Sequence, residues 1–467
     1  MSTPFGKFFS RSQALLGNVI FAWLSCLVCV SSLAAEEPIQ LRERFFSGYE
    51  YHVSTRVDLS GTLTLPPPLS SPGTEGDKGG GKPAPKPLSV RGSSAIEYDE
   101  RILDVGQDGQ VRKTVRLCRR TDFRRTIGDR LQENSLRPEV RRLVLLRYQN
   151  KEVPFSPDGP LMWGEIDLVR TDVFTPALAG LLAGHPVSLG DRWSATQSAI
   201  QELTDLERID EGSLECRLEQ FTRVEKRRHA RISFRGTLRG ANEDGPNRQE
   251  LEGYFFFDLE SNHLSYLYLQ GKHFLLDKDG KEVGRIEGRF VLTRQANTRV
   301  ADLSETALKG VVMEPNADNT LLLYDNADLG VRFLYPRRWH VASVRGNQVA
   351  LDSADGSGLL LTLESLARVP TGARFLTESR EWLTKQQAQL LRIEPPRTIR
   401  ASPVLEHFAL EMEMGKQKFV MDYYVTRQSN GGATLAARLL PNDLAALQKE
   451  VERIALSVVV TREQANR

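Results

Sequence analysis

Between residues 213 and 294 the chain alternates apolar and polar residues in short runs and interrupts them with turn-forming clusters. The runs fall at 214–221, 230–238, 251–258, 264–270, 274–276 and 284–293. Gly240-Ala241-Asn242-Glu243-Asp244-Gly245, Glu260-Ser261-Asn262-His263 and Asp277-Lys278-Asp279-Gly280 stand between them. A period of two gives each strand one apolar face, and consecutive strands of that kind predict an antiparallel meander. Such a meander must cover its apolar face, so it is expected to curl as a half-barrel over a helix or a second layer.

The same alternation opens the folded part of the chain. Tyr49, Tyr51, Val53, Thr55 and Val57 share one strand face, with His52, Ser54, Arg56 and Asp58 on the other. Residues 66–87 then lose all apolar periodicity: prolines, Gly79-Gly80-Gly81 and Pro83-Ala84-Pro85-Lys86-Pro87 predict an exposed disordered insertion. Loop-closure cost grows only logarithmically with length, so the sheet tolerates it. Strands resume at 89–105 and 111–127 around Gln107-Asp108-Gly109, a hairpin signal. Pro138 introduces a short helix or helix-to-strand transition over 139–146, and Pro176 a short helix over 174–182.

A second domain is expected from about residue 319, after a linker at 296–318. Its opening runs Asp325-Asn326-Ala327-Asp328-Leu329-Gly330 as a turn, then Val331-Arg332-Phe333-Leu334-Tyr335 as a strand stopped by Pro336, with Trp339 as an apolar anchor. Strands follow near 339–344, 348–351 and 359–366. Phe375, Leu376, Trp382, Leu383, Leu390 and Leu391 stripe a helix over 375–391, which Pro395-Pro396 ends. Three strands return at 405–414, 418–427 and 434–440. Asn442 is placed to cap a last helix whose Leu444, Leu447, Val451, Ile454 and Val458 step by three and four. The fold class is therefore α+β: a β-rich half-barrel or meander domain at 36–295, then an αβα sandwich with an antiparallel sheet at 319–462.

The first 34 residues read as a secretory signal. Lys7 and Arg11 precede an apolar run from Ala14 to Val30, and Ser32-Leu33-Ala34 offers small residues for cleavage. A single membrane anchor is the alternative, and the small-residue exit favours cleavage. Cys26 and Cys29 lack the Leu-small-small pattern of a lipidation site. The whole chain carries 62 Lys and Arg against 60 Asp and Glu; losing Lys7 and Arg11 leaves the mature protein near neutral, which argues against a dedicated nucleic-acid binder. In the secreted or periplasmic compartment this implies, Cys118 and Cys216 can form one bridge or remain two free thiols.

Motifs for chemistry are sparse. Gly76-Asp77-Lys78-Gly79-Gly80-Gly81-Lys82 approximates a phosphate-binding loop, but Pro83 stands where the magnesium-holding hydroxyl belongs. Asp277-Lys278-Asp279-Gly280 begins like a calcium loop, but Gly288 occupies the position of its bidentate glutamate. The seven histidines show no zinc spacing, so neither a metal nor a cofactor is expected. Glu97/Asp99 and Glu411/Glu413 each share a strand face and supply the acid–base candidates Glu97, Asp99 and Glu411 for a hydrolase. The sharpest charge feature is the stretch 112–147, with twelve Lys and Arg. Within it Arg116, Arg119, Arg120, Arg124 and Arg125 are candidates for an anionic partner, such as lipid headgroups or an acidic envelope polymer. The bland alternative is the solvated face of paired strands.

The order of elements after residue 319, with Asp-Leu-Gly-Val-Arg-Phe-Leu-Tyr-Pro-Arg-Arg-Trp (328–339) and Glu-Arg-Ile-Ala-Leu-Ser-Val (452–458), resembles the PsbP-like superfamily. That resemblance implies an αβα sandwich acting as a non-enzymatic binding or assembly module. In the N-terminal part, Val187-Ser188-Leu189-Gly190-Asp191-Arg192-Trp193 before a long meander is similar to secreted bacterial proteins of the LolA-like half-barrel type. Such folds carry lipid or lipoprotein segments in an apolar concavity. The expectation is a secreted or periplasmic, non-catalytic protein that binds an apolar or anionic envelope ligand or a protein partner. A carboxylate-dependent hydrolase and a purely structural envelope protein are the alternatives.

Overall fold

The computed structural model of the chain describes residues 37–64, 87–148, 151–243 and 245–462. The signal segment, the part of the insertion at 66–86 and the loop at 76–82 lie outside the described residues. The fold is α+β and mostly antiparallel sheet, with no sheet closed into a barrel. Two compact units divide it. One runs to Pro154 and from Gly164 to Val311; the other takes Phe155–Trp163 and continues from Val312. Among the described residues no helix is long and apolar enough to cross a membrane.

In chain order the N-terminal unit holds β1 (Glu50–Leu63), β2 (Leu88–Val105), β3 (Val111–Ile127), β4 (Arg130–Asn134), β5 (Arg142–Tyr148) and β6 (Lys151–Phe155). The short β7 (Leu161–Met162) belongs to the other unit, and α1 (Trp163–Arg170) follows it. Next come β8 (Arg192–Ser194), α2 (Gln197–Thr204), β9 (Arg208–Val224), β10 (Arg227–Asn242), β11 (Gly245–Asp258), β12 (His263–Leu276), β13 (Glu282–Ala296) and α3 (Glu305–Leu308). The strands form one twelve-stranded sheet in the order β6-β5-β3-β2-β1-β13-β12-β11-β10-β9-β8, with β4 paired to β3. The runs 264–270 and 274–276, expected as two strands, are one strand that passes through Gly271 without breaking its pairing. Residues 139–146 resolve into a 3-10 turn at Pro138–Val140 followed by β5.

One face of the sheet is filled. Tyr51, Val53, Phe234, Phe255, Phe257, Phe290 and Leu292 are buried. The 3-10 helix Thr175–Leu181 and α2 join this core through Leu178, Leu181, Ala199, Ile200 and Leu203. Polar bonds fix them there: Trp193 donates its indole N–H to the Leu181 carbonyl at 2.8 Å, and Gln249 donates to the Thr204 carbonyl at 2.9 Å. The segment expected as a linker begins inside this unit. Arg101 donates to Glu50 at 2.9 Å and to the Leu303 carbonyl at 3.1 Å, and the Val300 N–H donates to Glu50.

The C-terminal unit adds β14 (Leu322–Asn326), β15 (Val331–Tyr335), β16 (Trp339–Arg345), β17 (Gln348–Ser353), β18 (Gly358–Glu364), α4 (Gly372–Lys385), β19 (Gln389–Ala401), β20 (Val404–Met414), β21 (Gln417–Gln428), β22 (Gly431–Leu439), α5 (Leu444–Ser457) and β23 (Val459–Val460). Its larger sheet runs β16-β17-β18-β22-β21-β20-β19, and a smaller one runs β23-β15-β14-β7. Strand β7 comes from a segment far upstream: Leu161 and Met162 pair in parallel with Leu322 and Leu323. Helix α4 packs Phe375, Leu376 and Leu383 onto Phe408, Leu410 and Tyr423. On the opposite face α5 packs against β21 and β22, and the Tyr424 hydroxyl donates to Asp422 at 3.0 Å.

Three sequence expectations change here. Helix α4 ends at Lys385, and Leu390 and Leu391 lie on β19. Pro395 and Pro396 sit inside that strand and do not end the region. Strand β19 is at the sheet edge and its register slips between Glu394 and Arg397, so neither proline has to donate to a ladder. The residue at the start of α5 is Asp443 in a left-handed conformation with no side-chain cap, in place of Asn442.

Candidate functional site

The opposite, polar face of the twelve-stranded sheet carries a cleft of about 770 Å³. Its walls come from six successive strands: Ser60 on β1, Ser213 and Glu215 on β9, and side chains of β10 to β13 between them. Strands lie about 4.8 Å apart, so the six span roughly 24 Å along the sheet. The first and last of them bound one cavity, so the sheet is curled at this height.

Alternation decides which residues face the cleft. Phe234 and Leu238 point to the core, so Arg235 and Thr237 point out. Register then lines up two rows across the strands. Arg235 stands opposite Glu252, Glu252 opposite Gln270, and Gln270 opposite Arg289. In the second row Thr237 faces Glu250, Glu250 faces Lys272, and Lys272 faces Glu287. Gly236, Gly271 and Gly288 form the floor between the rows. A Cβ on Gly236 would lie 2.1 Å from the Ser213 carbonyl oxygen, so this close approach of backbones requires glycine.

The charges are not evenly matched. Glu215 pairs with Arg192 at 2.9 Å, Glu250 with Arg248, and Glu287 with Arg285, while Glu252 accepts from Gln270. Among the described residues Arg235, Lys272 and Arg289 take part in no ion pair. Six cations thus stand against four carboxylates in the cleft and at its rim.

Aromatic rings continue the same face. Tyr254 stacks on Tyr268 with centroids 5.5 Å apart and planes 27° apart, and Phe256 and Tyr266 pack beside them. All four rings are half-buried. The Arg231 guanidinium lies 4.6 Å from the Tyr254 ring centroid. The Tyr268 hydroxyl donates to Gln270 at 3.0 Å, joining the rings to the first polar row. Burial, then the Tyr254 hydroxyl, push Tyr266 up to about 12, so its hydroxyl stays protonated at neutral pH.

The residues singled out from sequence lie elsewhere. Arg116 is not on the surface: it is buried, donating to Glu100 at 2.6 Å and Asp172 at 3.2 Å. Burial works against its charge, but Glu100, Tyr98 and Asp172 outweigh burial and keep it protonated. The register slips between Glu97 and Tyr98, leaving Arg119 as the extra residue of a β-bulge, and Arg119 reaches Asp99 at 2.8 Å. Arg120 pairs with Asp122 at 2.6 Å, Arg124 with Glu133 at 3.2 Å, and Arg125 donates to Gln132 at 2.6 Å. Cys118 and Cys216 are free, buried thiols, each pushed up to about 12, with burial as the first cause. Six strands separate β3 from β9 in the sheet, and the bridge that sequence left open is not made.

Of the acid–base candidates, Glu97 and Asp99 do meet a histidine. His52 Nδ1 lies 2.9 Å from Asp99, and its Nε2 lies 3.5 Å from Glu97. Both ring nitrogens therefore face carboxylates. Glu411 is exposed on β20 of the other unit. Among the described residues no group of three or more His, Cys, Asp or Glu side chains is arranged to hold a metal. The cleft itself was missed. Its trace in the sequence is a polar-Gly-polar triplet on three strands: Arg235-Gly236-Thr237, Gln270-Gly271-Lys272 and Glu287-Gly288-Arg289.

No protein-family model matches this sequence, and no curated protein does. Among solved structures, cyanobacterial PsbP from Synechocystis sp. PCC 6803 is similar at 16% identity and a TM-score of 0.23, over 30% of this chain and 92% of that one. Lipovitellin is similar at 8% identity and a TM-score of 0.30, over 65% of this chain and 29% of that one.

Proposed function

We propose that this is a secreted or periplasmic, non-catalytic binding protein that holds an anionic ligand in the cleft of its N-terminal sheet. One observation carries the reading: Arg235, Lys272 and Arg289 face a shared cleft, and among the described residues none of them is in an ion pair. Cations left without partners at a curled surface focus potential toward the cavity and attract an anion. The arginine-rich strand β3 is a weaker candidate, because its side chains already have partners. The C-terminal unit, in this reading, is a PsbP-like module that docks a protein partner; the motifs at 328–339 and 452–458 support it.

Each Lys or Arg near an anionic surface contributes about 1 kcal/mol, so three removed together amount to about a hundredfold in affinity. The variant R235S/K272S/R289S is therefore expected to lose about a hundredfold in affinity for an anionic oligomer in low salt, measured by titration calorimetry. A variant R119S/R120S/R124S/R125S should bind almost as the parent does. The reverse pattern would remove the cleft from consideration.

A further inference from the structure

We infer that the anionic ligand is an acidic carbohydrate chain, bound with a sugar ring on the Tyr254–Tyr268 platform and its hydroxyls among the polar rows. This rests on the cleft reading above and names its ligand class. Three features of the same face point to it together.

The cleft presents acceptors as well as cations. Glu252 and Gln270 stand in the row between Arg235 and Arg289, opposite one another. A ligand that is only an anion has no proton for Glu252 and is repelled by it. A polyhydroxylated anion serves both: its hydroxyls donate to Glu252 and to the Gln270 carbonyl oxygen, and its acidic groups meet the guanidinium ions. The platform adds the second feature. The apolar C–H face of a pyranose packs on aromatic carbon, and the half-buried Tyr254, Phe256, Tyr266 and Tyr268 make one aromatic patch that borders the polar rows. The third is shape. A cleft crossing six strands, roughly 24 Å, suits several linked rings in extended form better than one small anion.

Single-stranded nucleic acid also combines aromatic stacking with cations. Its phosphates would pass Glu215, Glu250, Glu252 and Glu287, and the carboxylates of this cleft are as much part of its lining as the cations. A phospholipid headgroup would have no use for the tyrosine platform.

The test titrates the full chain at low salt with hexagalacturonate, an oligothymidylate and phosphatidylglycerol vesicles. Hexagalacturonate should bind best. Replacing both rings, Y254L/Y268L, should weaken it about tenfold or more while leaving vesicle binding unchanged. The near-isosteric E252Q keeps the shape if the double variant fails to fold. It should weaken hexagalacturonate and strengthen the oligothymidylate, because it puts an amide donor where a sugar hydroxyl finds an acceptor oxygen and removes a charge that repels phosphate. If the oligothymidylate or the vesicles bind more tightly, and neither the ring pair nor E252Q lowers hexagalacturonate binding, the carbohydrate inference is overturned and the anion cleft stands. If no probe loses affinity in R235S/K272S/R289S, the cleft reading falls and takes the inference with it.

Discussion

Replacing Glu100 with alanine is expected to destabilise the N-terminal unit by about 3–5 kcal/mol, because it strands a buried cation. Glu100 is fully buried between strands and accepts from three groups on its two oxygens: Tyr51 on one, Thr114 at 2.7 Å and Arg116 at 2.6 Å on the other. Arg116 would keep only Asp172, at 3.2 Å, for a guanidinium that is itself almost inaccessible. The Tyr51 hydroxyl would keep Thr175 at 3.2 Å. The expectation is a large fall in the urea midpoint followed by circular dichroism. E100Q, which retains one oxygen for Thr114 and Arg116 and gives up the one that Tyr51 donates to, should lose less. A change below about 1 kcal/mol for E100A would mean that water reaches this network and that the charge is not confined.

Replacing Trp339 with alanine should cost the C-terminal unit about 3–5 kcal/mol, the range for removing a large buried aromatic side chain. Trp339 is wholly inaccessible, and its indole N–H donates to Glu450 of α5 at 2.9 Å. The substitution therefore opens a cavity and removes a bond between β16 and α5. W339F fills most of the space and forfeits only that bond, about 1 kcal/mol. Hydrogen exchange in peptides from β20 to β22 reads both variants within the unit that carries them. Equal protection in W339A and the parent would show that this residue does not hold α5 on the sheet.

Legibility from sequence followed the range of the interactions involved. Strands with one apolar face were readable because alternation is local: Tyr49 to Val57 fall on the buried side as the pattern demands. The helix α5 was readable for the same reason, through Leu447, Val451 and Ile454. What failed depended on partners far away in the chain. Arg116 looks like part of a charged run until Asp172 and Glu100 are folded against it. Strand β7, two residues long, carries no periodicity at all and exists only because β14 accepts it. Pro395 and Pro396 look like a stop, but an edge position and a bulge make them harmless. The cleft was the least legible feature, since Arg235, Glu252, Gln270 and Arg289 become one row only when four strands take their register.

The central claim is that an anionic ligand occupies the polar face of β10 to β13, and hydrogen-exchange mass spectrometry of the full chain with and without hexagalacturonate tests it most directly. Ligand-dependent protection is expected in peptides covering 235–237, 250–254, 268–272 and 287–289, the segments that line the cleft or carry its aromatic patch. Protection confined to peptides from 112–127, the arginine-rich strand, with none in the cleft, would contradict it.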